Sequence, residues 1–268
     1  CIRDSINLKG KASDVLLNGG KSDSYAIVPD YYNGIVPKVV AKVGEKVKAG
    51  SVLMIDKNRP EIKFVSPVSG EVTAVNRGEK RKVLSVVVKP EAQIEYEDFG
   101  KKNVASLKRE EVKEAILHAG MWPFIKQRPY DIVASPVDEP RDIFVSAFYS
   151  APLAPNFDFV VKGQEVDFQT GLDALAKLTD GKVYVGIRKG SSVSVKGVET
   201  VEVEGPHPAA NVGVQINHIK PINKGEVVWT VNPADVIVIG RLFNKGIADF
   251  SRLVVITGSE TTERGYVK

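Results

Sequence analysis

Two short stretches carry side chains suited to ligand chemistry. In Pro206-His207-Pro208 an imidazole stands between two residues that lack a backbone donor. Prolines on both sides bias the intervening residue toward extended backbone, so the sequence predicts His207 on a stiff loop. Ala209-Ala210-Asn211-Val212-Gly213 follows. It could open a short helix whose free N–H groups face an anionic or carbonyl-bearing ligand, or the whole run could be a rigid turn before a strand. The second stretch is Met121-Trp122-Pro123-Phe124-Ile125-Lys126-Gln127-Arg128-Pro129, large apolar residues with two cations and two prolines. It reads either as a buried aromatic turn capping a core or as an aromatic-walled slot for a flat ligand, with Arg128 as donor.

Most familiar catalytic constellations are missing. The chain has no G-x-G-x-x-G after a strand, no P-loop, no H-E-x-x-H and no G-x-S-x-G. A nucleotide-binding loop would offer consecutive glycine amides, and only Gly120 stands where such a loop belongs. The three histidines, 118, 207 and 218, could meet in space, but His118 ends a predicted helix, where an imidazolium suits the dipole. The one cysteine, Cys1, excludes an internal disulfide framework and any Cys-based zinc or iron–sulfur site in this chain. No self-contained catalytic, cofactor or metal site is legible.

The elements that must position these residues sit in a chain of ordinary globular composition. Its 268 residues suffice for roughly two domains, with 43% hydrophobic and 26% charged residues. No apolar run approaches the roughly 18 residues needed to span a bilayer, so any membrane role is expected to be peripheral. The net charge of +4 is spread among mixed signs, without the aromatic-interleaved basic stripe of single-strand binders. Nucleic acid is therefore not an expected partner. A weak attraction to an anionic membrane surface or an acidic partner stays open. A reducing, cytoplasmic compartment and no intact signal peptide are expected.

Residues 1–24 read as a polar arm. From Tyr25 to Pro90 short β-branched runs alternate with glycine turns, predicting strands at 26–28, 39–43, 52–55, 62–65, 71–75 and 84–88. Within them, Gly44-Glu45-Lys46-Val47-Lys48-Ala49-Gly50-Ser51-Val52-Leu53 and Ser66-Pro67-Val68-Ser69-Gly70-Glu71-Val72 resemble the two halves of a biotinyl/lipoyl-type barrel-sandwich domain. That likeness raises a carrier reading, because Asp56-Lys57 falls where the lipoyl family displays its modified lysine. The longer, more polar Asp56-Lys57-Asn58-Arg59-Pro60 favours a solvated turn residue instead.

An acidic stretch over 91–103 suggests a boundary. Beyond it, Ser106 is the expected N-cap of a helix carrying Leu107, Val112, Ile116 and Leu117 and ending at Ala119-Gly120. A β-rich run over 142–148, a loop at 151–155 and a helix over 164–178 follow. Strands are expected at 182–187, 198–203, 235–239 and 253–257, the last buried on both faces. This alternation over 103–258 argues for an α/β domain with a largely parallel sheet.

Several blocks carry a resemblance over nearly the whole chain from about Asn7. His118-Ala119-Gly120-Met121-Trp122-Pro123-Phe124 with Gln127-Arg128-Pro129, Ile143-Phe144-Val145-Ser146-Ala147 with Ala151-Pro152-Leu153-Ala154, Gly205-Pro206-His207-Pro208-Ala209, Val228-Trp229 and Asp235-Val236-Ile237 resemble the A subunit of the bacterial sodium-translocating NADH:quinone reductase. The resemblance implies a barrel-sandwich module over 25–90 and a Rossmann-like α/β domain over 103–258, similar to the flavin-binding subunit of complex I and to the C subunit of the related Rnf complex. It implies a cofactor-free, noncatalytic subunit on the cytoplasmic face of the inner membrane, partnered by the other subunits, especially the membrane-embedded B subunit. The complex as a whole is expected to use FAD, FMN, riboflavin, iron–sulfur centres and quinone. Residues 259–268 would begin a linker to an SLBB (ubiquitin-like) domain and further helices, making this an N-terminal fragment.

The A subunit of that family has been tied to quinone, a flat ring with two carbonyl acceptors. Trp122, Phe124, Arg128, His207 and Pro208 are the expected quinone or partner contacts, provided their loops converge at one sheet edge. Bulky Met121, Trp122 and Phe124 stand where flavin-binding relatives carry glycines, which would block close approach of a phosphate. The family commonly has histidine where Gln215 and Asn217 stand here and glycine where Ala210 stands, which puts any role of those histidines in doubt. Two rival functions remain from the sequence: a lipoyl-like carrier and a stand-alone flavin oxidoreductase.

Overall fold

The computed structural model describes residues 11–268, so residues 1–10 of the expected arm lie outside it. The first module contains β1 (Tyr25–Ile27), β2 (Pro37–Val39), β3 (Lys46–Val47), β4 (Val52–Asp56), β5 (Lys63–Val65), β6 (Gly70–Arg77) and β7 (Val83–Pro90). They form a four-stranded sheet, β1-β7-β6-β3, facing a three-stranded one, β2-β4-β5. Alternation puts Leu53, Val72, Val86 and Val88 inward, each fully buried. Gly70 is required at the turn into β6: at φ +158° a Cβ there would lie 1.9 Å from the Lys89 carbonyl oxygen.

The other side of this sandwich is not self-contained. Met54, Ile62 and Phe64 enter one continuous core with Val112, Ile116 and Trp122 of the following domain. The acidic connection is tied down as well. The Glu97 N–H donates to the Ala49 carbonyl at 2.9 Å and the Phe99 N–H to the Gly246 carbonyl at 2.8 Å.

The second domain opens with α1 (Arg109–His118). Its N-cap is Lys108 rather than the expected Ser106, which closes a 3-10 turn over Val104–Ser106. The Glu111 carboxylate accepts from the Lys108 N–H at 2.8 Å and starts the helix there. There follow β8 (Lys126–Arg128), β9 (Ile132–Val133), β10 (Ile143–Ser146), α2 (Phe157–Val161), α3 (Glu165–Lys177), β11 (Val183–Arg188) and β12 (Glu199–Val203). The chain continues through α4 (Val212–Ile219), β13 (Val228–Thr230), α5 (Pro233–Lys245), β14 (Val254–Ile256) and β15 (Gly265–Val267).

Six strands make the sheet in the order β12-β11-β10-β13-β8-β9. The first four run parallel, and β8 and β9 are antiparallel additions. Progression from β10 to β12 goes one way and β13 lies on the other side of β10, the Rossmann-type reversal. One face is covered by α4, whose Ile216 packs on Phe144 and Val228. The other belongs to the main core with α3 and α5.

One strand expectation fails, and a second holds as a strand but not as one buried on both faces. Residues 235–239 lie inside α5, where Val236, Ile237, Val238 and Ile239 are all buried. This helix crosses α3 so closely that a Cβ on Gly240 would come 1.7 Å from the Asp167 carbonyl oxygen, and one on Gly171 2.0 Å from that of Val236. Burial all round erases the amphipathic period and leaves a β-branched run that mimics a strand. Residues 254–256 are a strand, but β14 pairs only with β15 outside the main sheet, with Val254 53% exposed.

Candidate functional site

The C-terminal ends of β10, β11 and β12 open into a cleft of about 910 Å³. Its walls come mainly from the loop after β10, Arg188 at the end of β11 with Lys189 beyond it, and Glu204 to His207 after β12, with Lys11, Asp14 and Tyr266 at its side. The first of these loops is pinned to the last. Ser150 Oγ lies 3.1 Å from His207 Nδ1 and accepts from the Ala210 N–H at 3.0 Å. Ser146 Oγ donates to the Ala210 carbonyl at 2.7 Å, while buried Gln215 donates to Ser146 Oγ at 2.9 Å. Gln215 is thus a brace for the His207 loop. Of the two readings of the run after Pro208, the helical one holds, but the helix starts at Val212 with Asn211 as its N-cap, after a turn over Ala209 and Ala210.

This edge is unlike a phosphate site. Phe148 and Tyr149 occupy the first crossover loop, and the Tyr149 hydroxyl lies 3.4 Å from Asn232 Oδ1 at the start of α5. Burial raises the Tyr149 hydroxyl above its ordinary range; the Asn232 contact opposes that shift and Asp235 adds to it. The Ser191-Ser192 loop after β11 does gather anion donors. Asp158 already fills them, accepting from the Ser192 N–H at 2.9 Å and from both hydroxyls.

The second stretch lies elsewhere. Trp122 is fully buried, donates its indole N–H to the Ala134 carbonyl at 2.8 Å and belongs to the core. Of the two readings of its turn, the structural one holds for Trp122, whereas Phe124 reaches a cavity of about 210 Å³. This pocket lies between the two domains, walled by Tyr32, Phe64, Phe124 and Phe250, with Arg252 at its side. Phe124 meets Phe250 edge to face at 5.9 Å, and the Arg252 guanidinium lies 5.9 Å over the Phe124 ring. Arg252 also pairs with Asp235 at 2.9 Å. Burial pushes the Asp235 carboxyl up, opposed by Arg252 and Lys126, and burial pushes the Lys126 ammonium down. Tyr32 is raised by its own burial and by Asp235.

The expected convergence does not occur. The cleft holding His207 and the pocket holding Phe124 share no lining residue. Arg128 pairs in register with Val228 at the start of β13, the sheet end opposite the cleft, and its Nε lies 3.4 Å from Asp131. Pro208 continues the His207 loop on the exposed surface. The donor beside the aromatic walls is therefore Arg252, which sequence reasoning missed because more than a hundred residues separate it from Phe124. The histidines do not gather either: His118 packs edge to face on Phe99 at 5.4 Å, and His218 is exposed on α4. Among the described residues no His/Cys/Asp/Glu group suits a metal ion, and no helix is long and apolar enough to cross a membrane.

Lys57 is exposed on the turn between β4 and β5. Arg59, on the same turn, pairs with buried Asp56 at 2.8 Å and donates to the carbonyls of Val133 and Gly34 at 3.2 and 2.9 Å. A lysine swinging on a free hairpin tip is not what this turn offers.

Comparison with known proteins agrees with the order of these two domains. Residues 5–91 match the family described as "NqrA N-terminal barrel-sandwich hybrid domain", and residues 107–248 match "NqrA second alpha/beta domain". The chain belongs to the NqrA family. It is 36% identical over 269 residues to the A subunit of the Na(+)-translocating NADH-quinone reductase of Neisseria meningitidis serogroup A, covering 98% of this chain and 60% of that relative. The corresponding proteins of Hahella chejuensis and Vibrio atlanticus are 36% and 37% identical over 258 residues, covering 94% of this chain and 58% of theirs. The chain thus spans about 60% of the length of the NqrA relatives it matches.

Proposed function

We propose that this chain is the cofactor-free N-terminal part of the A subunit of a Na+-translocating NADH:quinone reductase, a pump coupling NADH oxidation and quinone reduction to Na+ export. It acts as a peripheral, noncatalytic subunit on the cytoplasmic face of the bacterial inner membrane. FAD, FMN, riboflavin and iron–sulfur centres belong to its partner subunits. In this reading the chain holds the quinone ring and presents the His207-Pro208 loop and Arg128 to partners, foremost the membrane-embedded B subunit.

The observation that carries the quinone assignment is the pocket between Phe124, Phe250, Tyr32 and Phe64, with Arg252 as an adjacent cation. At about 210 Å³ it is smaller than the roughly 300–1,000 Å³ of a typical drug-sized site, so it suits one ring rather than a dinucleotide. Aromatic faces stack on a flat ring, and the guanidinium offers N–H donors to a carbonyl oxygen. The test is crosslinking with a photoreactive quinone followed by peptide mapping. Labels on the peptides bearing Phe124 or Phe250, reduced in Phe124→Ala, support the site; equal labelling of wild type and Phe124→Ala refutes it.

A further inference from the structure

The hairpin joining β6 to β7 ends in Arg77-Gly78-Glu79-Lys80-Arg81-Lys82, a run that neither the aromatic pocket nor the His207 cleft uses. All four of its cations are exposed. Lys80 and Arg81 have left-handed backbone, φ 49° and 61°, which folds the tip into a tight projecting turn. Lys82 reaches across to Asp30 at 2.7 Å and so ties the tip to the Pro29–Tyr31 turn that follows β1. That tie places Tyr31, 79% exposed, beside the cations. Leu84, 42% exposed, stands at the start of β7 on the same end of the sheet.

Arg77, Lys80, Arg81 and Lys82 outnumber the nearby carboxylates of Glu79 and Asp30, and an aromatic ring and a leucine stand among them. Basic pairs occur elsewhere, as at Lys101-Lys102 and Arg188-Lys189, but here four cations share one six-residue hairpin tip with a single carboxylate, Glu79. Cations are drawn to anionic headgroups, while a tyrosine ring with an apolar body and a polar tip suits the headgroup level. An acidic protein surface would match the charge as well, and the vesicle experiment below separates that alternative from a lipid surface.

We propose that the β6–β7 tip, with Tyr31 and Leu84, is a docking surface for an anionic lipid membrane. The proposal does not depend on the quinone assignment, because the patch and the pocket share no residue.

Sedimentation with vesicles tests it. The full chain is mixed with phosphatidylcholine vesicles and with the same vesicles carrying phosphatidylglycerol. Binding is expected only to the anionic vesicles and should fall with added salt. Lys80→Glu with Arg81→Glu should weaken it at least about tenfold, since each basic residue near such a surface contributes severalfold. Lys101→Glu with Lys102→Glu makes the same change in net charge on the 99–103 segment, away from the tip, and should leave most of the binding. Tyr31→Ser should weaken it without altering the salt dependence. No binding to anionic vesicles, equal binding to neutral ones, or equal loss in the two double variants would overturn the proposal. Circular dichroism of each variant shows that the fold is retained.

Discussion

Trp122 and Trp229, the only tryptophans of the chain, meet edge to face in the core with ring centroids 5.4 Å apart and planes at 84°. One ends the turn after α1 and the other sits in β13, so the contact welds the aromatic turn to the sheet. Trp122 is therefore a structural residue. Trp122→Phe should cost about 1–3 kcal/mol, because the buried Ala134 carbonyl loses its donor and the smaller ring leaves space. Urea unfolding would measure this, and a variant as stable as wild type would contradict the assignment.

Gly120 has a comparable role. At φ +68° it closes α1, and a Cβ there would lie 2.4 Å from Val65 Cγ1 in β5. Its lack of a side chain serves the contact between the two domains and not a phosphate. Gly120→Ala should destabilise by about 2–3 kcal/mol, combining left-handed strain with overpacking. Thermal unfolding checks the loss, and Val65→Ala in the same chain should recover part of it.

Asp142 gives the fold a pH dependence. Burial alone would raise its carboxyl, but the Lys220 ammonium, the Lys182 N–H and Arg141 outweigh it and hold the group below the usual carboxylate range. A depressed folded value means the stabilisation is fully present above the unfolded value of about 4 and fades as pH falls through the folded one. Asp142→Asn should be about 2–3 kcal/mol less stable than wild type at pH 7, the scale of hydrogen bonds to a charged group. That gap should shrink below about pH 4. A gap unchanged between pH 7 and pH 3 would argue against a role for the charge.

The parallel-sheet edge should bind neither FMN nor NADH with useful affinity. Phe148 and Tyr149 fill the first crossover and the Asp158 carboxylate occupies the Ser191-Ser192 donors. Fluorescence titration with FMN would expose an error here: saturation at micromolar concentration contradicts the expectation. Asp158→Asn is not expected to create a flavin site, since the aromatic crossover remains.

The quinone reading separates Phe124 from His207. Phe124→Ala should weaken binding of a quinone analogue by about 0.5–1.5 kcal/mol, the scale of a lost aromatic contact. His207→Ala should leave it unchanged, because His207 faces the other cleft. Parallel titrations of the two variants decide between one shared site and two.

How much of this could be read from the residues depended on the range of the interactions. The helix over 165–177 was legible from its apolar spacing and from Gly181 just beyond it. Most strands of the first module were legible because glycine turns bound them, but the two-residue β3 at Lys46–Val47 was not among those expected, and the run expected at 39–43 meets β2 (Pro37–Val39) only at Val39. Residues 235–239 misled because their helix is buried on every side, although Asn232 and Pro233, its N-cap and first residue, carried the helical signal. The candidate site was half legible. Phe124 belongs to an aromatic pocket, but Phe250 and Arg252 come to it only through the packing of two domains, which no local pattern encodes. The His207 loop was recognised as stiff, while its attachment to Ser150 and Gln215 is a long-range fact.

The stretch 91–103 looks in the sequence like a place to cut. Met54, Ile62 and Phe64 lie in the same core as Ile116 and Trp122, and Phe99 is bonded to Gly246, so the covalent seam is not a mechanical one. Force or heat applied to either half is shared by the other, and the barrel-sandwich half severed at this seam would bare an apolar flank to water. The shared core predicts that the two halves melt as one unit.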